Sequence, residues 1–156
     1  MPRMTKDDVI SNLLRQMEEK IAITKSALAE TNESASGDET KSEGKYDTRA
    51  IEAAYLAEAQ AGQLALAEES LATFKRFEPR NFEMTEPVGP GALVEVDQED
   101  EICFYLLAPT GGGLMTDYLG CDVTVITPDS RLYQELNEKK MGSELESRPL
   151  TITGVE

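Results

Sequence analysis

Residues 46–74 read YDTRAIEAAYLAEAQAGQLALAEESLATF, and the spacing within them decides the fold. Tyr46, Ala50, Ala53, Ala57, Gln60, Leu64, Ala67, Leu71 and Phe74 recur at alternating intervals of four and three. That is the heptad spacing of a helix with one seam to bury. The alanines favour the helix and allow a second one to come close. Phe77-Glu78-Pro79 closes the segment, because a residue before proline is pushed out of the helical region.

Upstream, the same spacing predicts a helix from Asp7 to about Thr31, with Ile10, Leu14, Met17, Ile21, Thr24 and Leu28 on its seam. Thr5 and Asp8 have the spacing of a capping box, and Asp7 and Asp8 suit the positive end of the helix dipole. Neither seam is buried by its own helix. An antiparallel αα-hairpin buries both, whereas a parallel dimer through one helix leaves the other exposed. At about 1.5 Å per residue, such a helix reaches roughly 40 Å.

Residues 32–45, NESASGDETKSEGK, join the helices, and glycine, serine and asparagine mark them as a turn. Glu33, Asp38, Glu39 and Glu43 fall in this turn. Two readings stand: a solvated polar tip, or a rod that carries carboxylates into a hole closed to globular domains.

Composition changes after the second helix. Six of the seven prolines and eight of the eleven glycines lie from Pro79 onward. Following the Pro/Gly run Glu86–Gly91, strands are expected at Ala92–Val96, Ile102–Leu107 and Val123–Thr127, with a closing strand through Leu150, Ile152 and Val155. Pro128–Leu136 reads as a short helix with Leu132, Tyr133 and Leu136 on one side. Val94, Phe104, Leu106, Val125, Leu132, Leu136 and Ile152 are the expected core. The layout is therefore α+β: a hairpin over 1–80 with its acidic tip near 32–45, a linker at 81–91, and a β-rich domain over 92–156.

The 156 residues hold 15 basic and 30 acidic side chains, a net charge of -15. Such a surface repels phosphate, so independent nucleic-acid binding is not expected. With no histidine, Ser-His and Cys-His triads are excluded. Cys103 and Cys121 lack metal-site spacing and read as small packing residues. Pro109-Thr110-Gly111-Gly112-Gly113 lacks the Gly-Lys-Ser/Thr of a phosphate loop and reads as a turn. Neither Ser130 nor Ser143 has an identifiable base, so no nucleophile is assigned. No signal peptide or membrane-length apolar run is visible, and a cytoplasmic, monomeric protein without a cofactor of its own is expected.

Two stretches resemble the bacterial Gre transcript-cleavage factors. Gly37-Asp38-Glu39-Thr40-Lys41-Ser42-Glu43-Gly44-Lys45-Tyr46 resembles the family's tip motif, Gly-Asp-x-Ser-Glu-Asn-x-x-Tyr. Val123–Leu132 followed by Lys139-Lys140-Met141-Gly142 resembles its strand-Ser-Pro-helix-Lys-Lys-x-Gly segment. The resemblance implies an FK506-binding-protein-like second domain that docks on RNA polymerase, with the hairpin entering the secondary channel. It further implies tip acids that help hold a second Mg²⁺ in the polymerase active site, where the polymerase itself cuts backtracked RNA. Asp38 and Glu43 are the implied metal pair, with Glu39 a substitute for Asp38. They stand farther apart than the family's acids, which leaves open a channel-binding inhibitor that does not stimulate cleavage. A coiled-coil adaptor without chemistry is a further alternative. A prolyl isomerase is disfavoured, because Phe104, Tyr105, Tyr118 and Tyr133 do not suggest an aromatic-lined pocket.

Overall fold

The computed structural model describes residues 3–36 and 48–156. Two long helices come first, α1 (Lys6–Ser36) and α2 (Thr48–Arg76). Five strands follow: β1 (Leu93–Gln98), β2 (Glu101–Leu107), β3 (Met115–Tyr118), β4 (Cys121–Ile126) and β5 (Leu150–Val155), with the short helix α3 (Arg131–Leu136) after β4. The expected α+β layout is what the chain adopts. Two compact units divide it. One comprises residues 1–15 and 71–156, and the other residues 16–70.

Within the 16–70 unit, the α2 seam is as the sequence predicts. From Ala50 to Ala67 every seam residue is at least partly covered, while all other α2 positions in that range are exposed. Lys25 of α1 reaches Glu68 of α2 at 3.7 Å, so the two helices lie alongside each other within one chain. Exposed pairs of this kind contribute little, and burial along the seam is what holds the unit. Gln60 is the exception in the seam, because its buried Oε1 meets no donor.

The α1 seam differs from expectation at its root. Met17 and Ile21 are buried, and Thr24 and Leu28 are partly covered, as predicted. Below them the buried residues are Lys6, Val9 and Leu13, whereas Ile10 and Leu14 are only partly covered. The reason is a change of partner: residues 6–15 belong to the unit that contains the sheet. Helix α1 also continues past Thr31 to Ser36. Its start is the predicted capping box, with the Thr5 N–H donating to Asp8 Oδ2 (2.8 Å) and the Asp8 N–H to Thr5 Oγ1 (3.3 Å).

The sheet order is β3-β4-β2-β1-β5. All neighbours are antiparallel except β2 and β4, which run parallel with Phe104 opposite Val123. One face packs against α3: Val94, Val96, Leu107, Ile126 and Ile152 form a cluster with Leu132, Tyr133 and Leu136. On the other face Leu93, Phe104, Leu106, Val123 and Val125 are equally buried, without α3 to cover them. In the same unit Val9, Leu13 and Phe74, at the roots of the long helices, are almost fully buried. Each such side chain contributes about 1.5–3 kcal/mol by leaving water. The tight turns are strained. Glu99 and Asp100 between β1 and β2, and Leu119 between β3 and β4, all have positive φ, as two-residue hairpin loops require.

Leu13→Asp should lower stability by about 3 kcal/mol, and Leu14→Asp by clearly less, because only the first places a charge in a fully buried position. Equal losses in denaturant melts would contradict the shifted stripe. Gln60→Leu should raise the stability of the helical unit by about 1 kcal/mol by removing a buried acceptor that lacks a donor. A lower melting temperature for this variant would show that the amide is satisfied in solution.

Candidate functional site

The three acids assigned from the sequence, Asp38, Glu39 and Glu43, lie outside the described residues. What the structure gives is their setting. They fall between the C-terminus of α1 at Ser36 and the N-terminus of α2 at Thr48. With 31 residues, α1 is a rod of about 46 Å. Its last turn has no basic residue and the first turn of α2 has no acidic one. The positive end of the α2 dipole is therefore not neutralised by its own first turn, and carboxylates just upstream of it are favoured.

At the root of α1, within the sheet-containing unit, is a second polar centre that the sequence reading missed. Lys6 is buried, and its Nζ donates to the main-chain oxygens of Arg80 (2.8 Å) and Glu156 (2.7 Å). Two cations approach the Phe82 ring, with Lys6 Nζ at 5.2 Å and the Arg80 guanidinium at 3.8 Å from its centroid. Arg80 also donates to Glu86 Oε2 (2.8 Å), which holds that carboxyl below its ordinary range. The Tyr118 hydroxyl donates to Glu156 Oε1 at 3.4 Å. Phe104 meets Tyr118 edge to face, with centroids 5.0 Å apart. The signal for Lys6 was present: it shares a helical stripe with Val9 and Leu13. A lysine in the first turn nevertheless reads as solvated by default.

The contacts of this centre tie the start of α1 to residues 80–82 and to the end of β5. Burial pushes the Lys6 ammonium down to about 8, opposed by the nearby Glu156 charge. Elsewhere, Ser130 caps α3 by accepting from the Tyr133 N–H, and the Ser143 hydroxyl accepts from the Lys140 N–H. Both serines thus have structural duties. Cys103 and Cys121 are free thiols, and burial raises the Cys103 pKa. The Gly-rich turn holds Gly111 against Phe74, with positive φ at Gly111 and Gly113. Among the described residues no cluster of three or more acids or thiols could hold a metal, and no helix is long and apolar enough to cross a membrane.

The second sequence motif takes the form its residues predicted. Val123–Ile126 lies in β4, Ser130 caps α3, and Lys139 and Lys140 are exposed. The peptide groups at 138–139 pair with Val88, whose N–H donates to the Lys139 carbonyl (2.7 Å) and whose carbonyl accepts from Glu138 (2.7 Å).

Solved structures align with this chain over most of its length. The chain is similar to the crystal structure of GreA factor homolog 1 (Gfh1) of Thermus thermophilus at 15% identity and TM-score 0.37, covering 92% of this chain and 94% of that one. A second structure, of the transcription factor Gfh1, aligns at 15% identity and TM-score 0.38 over 92% of each chain. Gfh1 of Thermus aquaticus aligns at 15% and 0.35, over 99% of this chain and 97% of that one. No protein-family model and no curated protein matches.

Lys6 gives the root a measurable pH signature. Its folded pKa lies below the ordinary 10.5, so between about 8 and 10.5 the unfolded chain binds more protons. The contribution of Lys6 to stability is smallest below pH 8 and grows as pH rises through that window. In urea melts, wild type should gain on Lys6→Met by about 1 kcal/mol or more between roughly pH 7 and pH 9.5. A constant or shrinking difference would mean that Lys6 is not buried as described.

Proposed function

We propose that this chain is a Gre-like transcription elongation factor that binds RNA polymerase, enters its secondary channel with the helical hairpin, and stimulates cleavage of backtracked RNA. The observation that carries the reading is the position of the acid-rich stretch Gly37–Lys45. It falls between two long helices with complementary seams, and a strand–Ser-cap–helix–Lys-Lys segment follows in the same chain.

In this reading the chain is not an enzyme by itself, and it has no cofactor of its own. Asp38 and Glu43, with Glu39 as the substitute for Asp38, present carboxylate oxygens, the hard donors that Mg²⁺ prefers. When bound in the polymerase, a second Mg²⁺ supplies an activated water for attack on the phosphodiester. The helices carry the acids, the seam keeps the carrier stiff, and the sheet-containing unit docks on the polymerase. A second reading, channel entry without cleavage, is favoured by one observation: Asp38 and Glu43 stand wider apart than the acids of the family motif.

Adding the chain to a stalled, backtracked polymerase should shorten the RNA from its 3′ end. Asp38→Ala and Glu43→Ala should each slow this cleavage by at least about tenfold, near 1.4 kcal/mol in the barrier, with polymerase binding little changed. Glu39→Ala should be milder. Binding without cleavage at any Mg²⁺ concentration would support the inhibitor, and no binding to polymerase would leave the adaptor.

A further inference from the structure

The side of α2 away from its seam is built like a second seam. Ile51, Tyr55 and Leu66 are 49%, 69% and 68% exposed, and at 100° per residue they share one stripe with Ala59 and Gly62. Solvated helix faces normally place charge at such positions, so three large apolar residues in line are out of place. Gly62 lies in the same stripe. A Cβ built there would meet nothing within 4 Å, so the fold of this chain does not require glycine. A glycine inside a helix nonetheless weakens it, and its use is to let another backbone approach closely. The stripe and the glycine are independent signs that something lies along this face.

Charge identifies the occupant. Between Ala50 and Phe74 there are four glutamates, Glu52, Glu58, Glu68 and Glu69, and no lysine or arginine. Glu52 and Glu58 flank the stripe and Glu69 closes it one turn beyond Leu66, whereas Glu68 is paired with Lys25. A second copy of the chain would set acid against acid on a molecule already at -15. We propose that the outer face of α2 docks a basic amphipathic helix of a partner protein. The apolar side of that helix would lie on Tyr55 and Leu66, its backbone would pass close to Gly62, and its lysines or arginines would meet Glu52, Glu58 and Glu69. The inference rests on α2 alone and is independent of what the tip acids do.

The probe is a synthetic Leu/Lys peptide of about 20 residues with leucines on one helical face, compared with a scrambled peptide of equal composition. The full chain should bind the amphipathic peptide at least about tenfold more tightly by fluorescence anisotropy. Tyr55→Gln and Leu66→Gln leave charge and helix propensity nearly unchanged, and each should weaken binding by about fivefold or more. Ile23→Gln, at an exposed isoleucine of α1, should have no effect. Gly62→Leu gives the sharpest separation: it should raise the melting temperature of the free chain and yet weaken the peptide complex. Equal binding of the scrambled peptide would reduce the effect to net charge and overturn the proposal, as would wild-type affinity in the Tyr55, Leu66 and Gly62 variants. Sedimentation showing a dimer that Leu66→Gln dissolves would also overturn it, by making a second copy the occupant.

Discussion

Helix α1 has to bury one stripe against two different partners, and the rest of the fold follows from that constraint. Above residue 15 its covered positions keep heptad spacing and belong with α2. Below, the stripe moves to Lys6, Val9 and Leu13, and these belong with the sheet. Lys6 fixes the lower half by donating to two main-chain oxygens at once, and Val9 and Leu13 are among the apolar groups available to the sheet face that α3 leaves uncovered. Helix α2 draws most of its stability from packing its seam against a neighbour. Its seam is therefore tied to the placement of α1.

Much of this fold is legible in the sequence, and each departure from it has a physical cause. The α2 seam is legible because its four-and-three spacing runs unbroken from Tyr46 to Phe74. The root of α1 was misread by one position because a heptad pattern assumes a single helical partner, and Ile10 and Leu14 fit it as well as Val9 and Leu13 do. Strands β1, β2, β4 and β5 were visible as apolar runs. Met115–Tyr118 was not, because an edge strand needs to bury only one face, and Thr116 and Asp117 hide it. The parallel pairing of β2 with β4 was out of reach of local pattern, since it depends on β3 being placed outside β4. The expected core of Val94, Phe104, Leu106, Val125, Leu132, Leu136 and Ile152 is buried throughout. The candidate acids rest on motif alone, because residues 37–47 lie outside those described. The exposed stripe of Ile51, Tyr55 and Leu66 was masked in the sequence by the alanines that surround it.

The proposed function makes chemical sense of an otherwise unhelpful composition. A chain at -15 without histidine has poor means of binding nucleic acid or of running acid–base catalysis near neutral pH. Carboxylates are what it has in abundance. They become useful where a partner provides the metal, the nucleic acid and the reacting phosphate, and where only a thin carrier can reach. The docking duties and the chemical duties then sit in different parts of the chain, so each can change without the other. On the proposed reading, the spacing of the acids in this chain decides between assisting cleavage and blocking it.

The central claim is that residues 37–47 reach the polymerase active centre. Replacing the polymerase Mg²⁺ with Fe²⁺ and adding hydrogen peroxide, with ascorbate to recycle Fe³⁺, generates hydroxyl radicals at that metal, and they cut backbone only in its neighbourhood, a short reach beside a helix of about 46 Å. With end-labelled chain bound to a backtracked complex, the account predicts cuts confined to the neighbourhood of Asp38–Glu43 and none in the β-rich half. A bound chain that is cut in the β-rich half, or not cut at all, would contradict it.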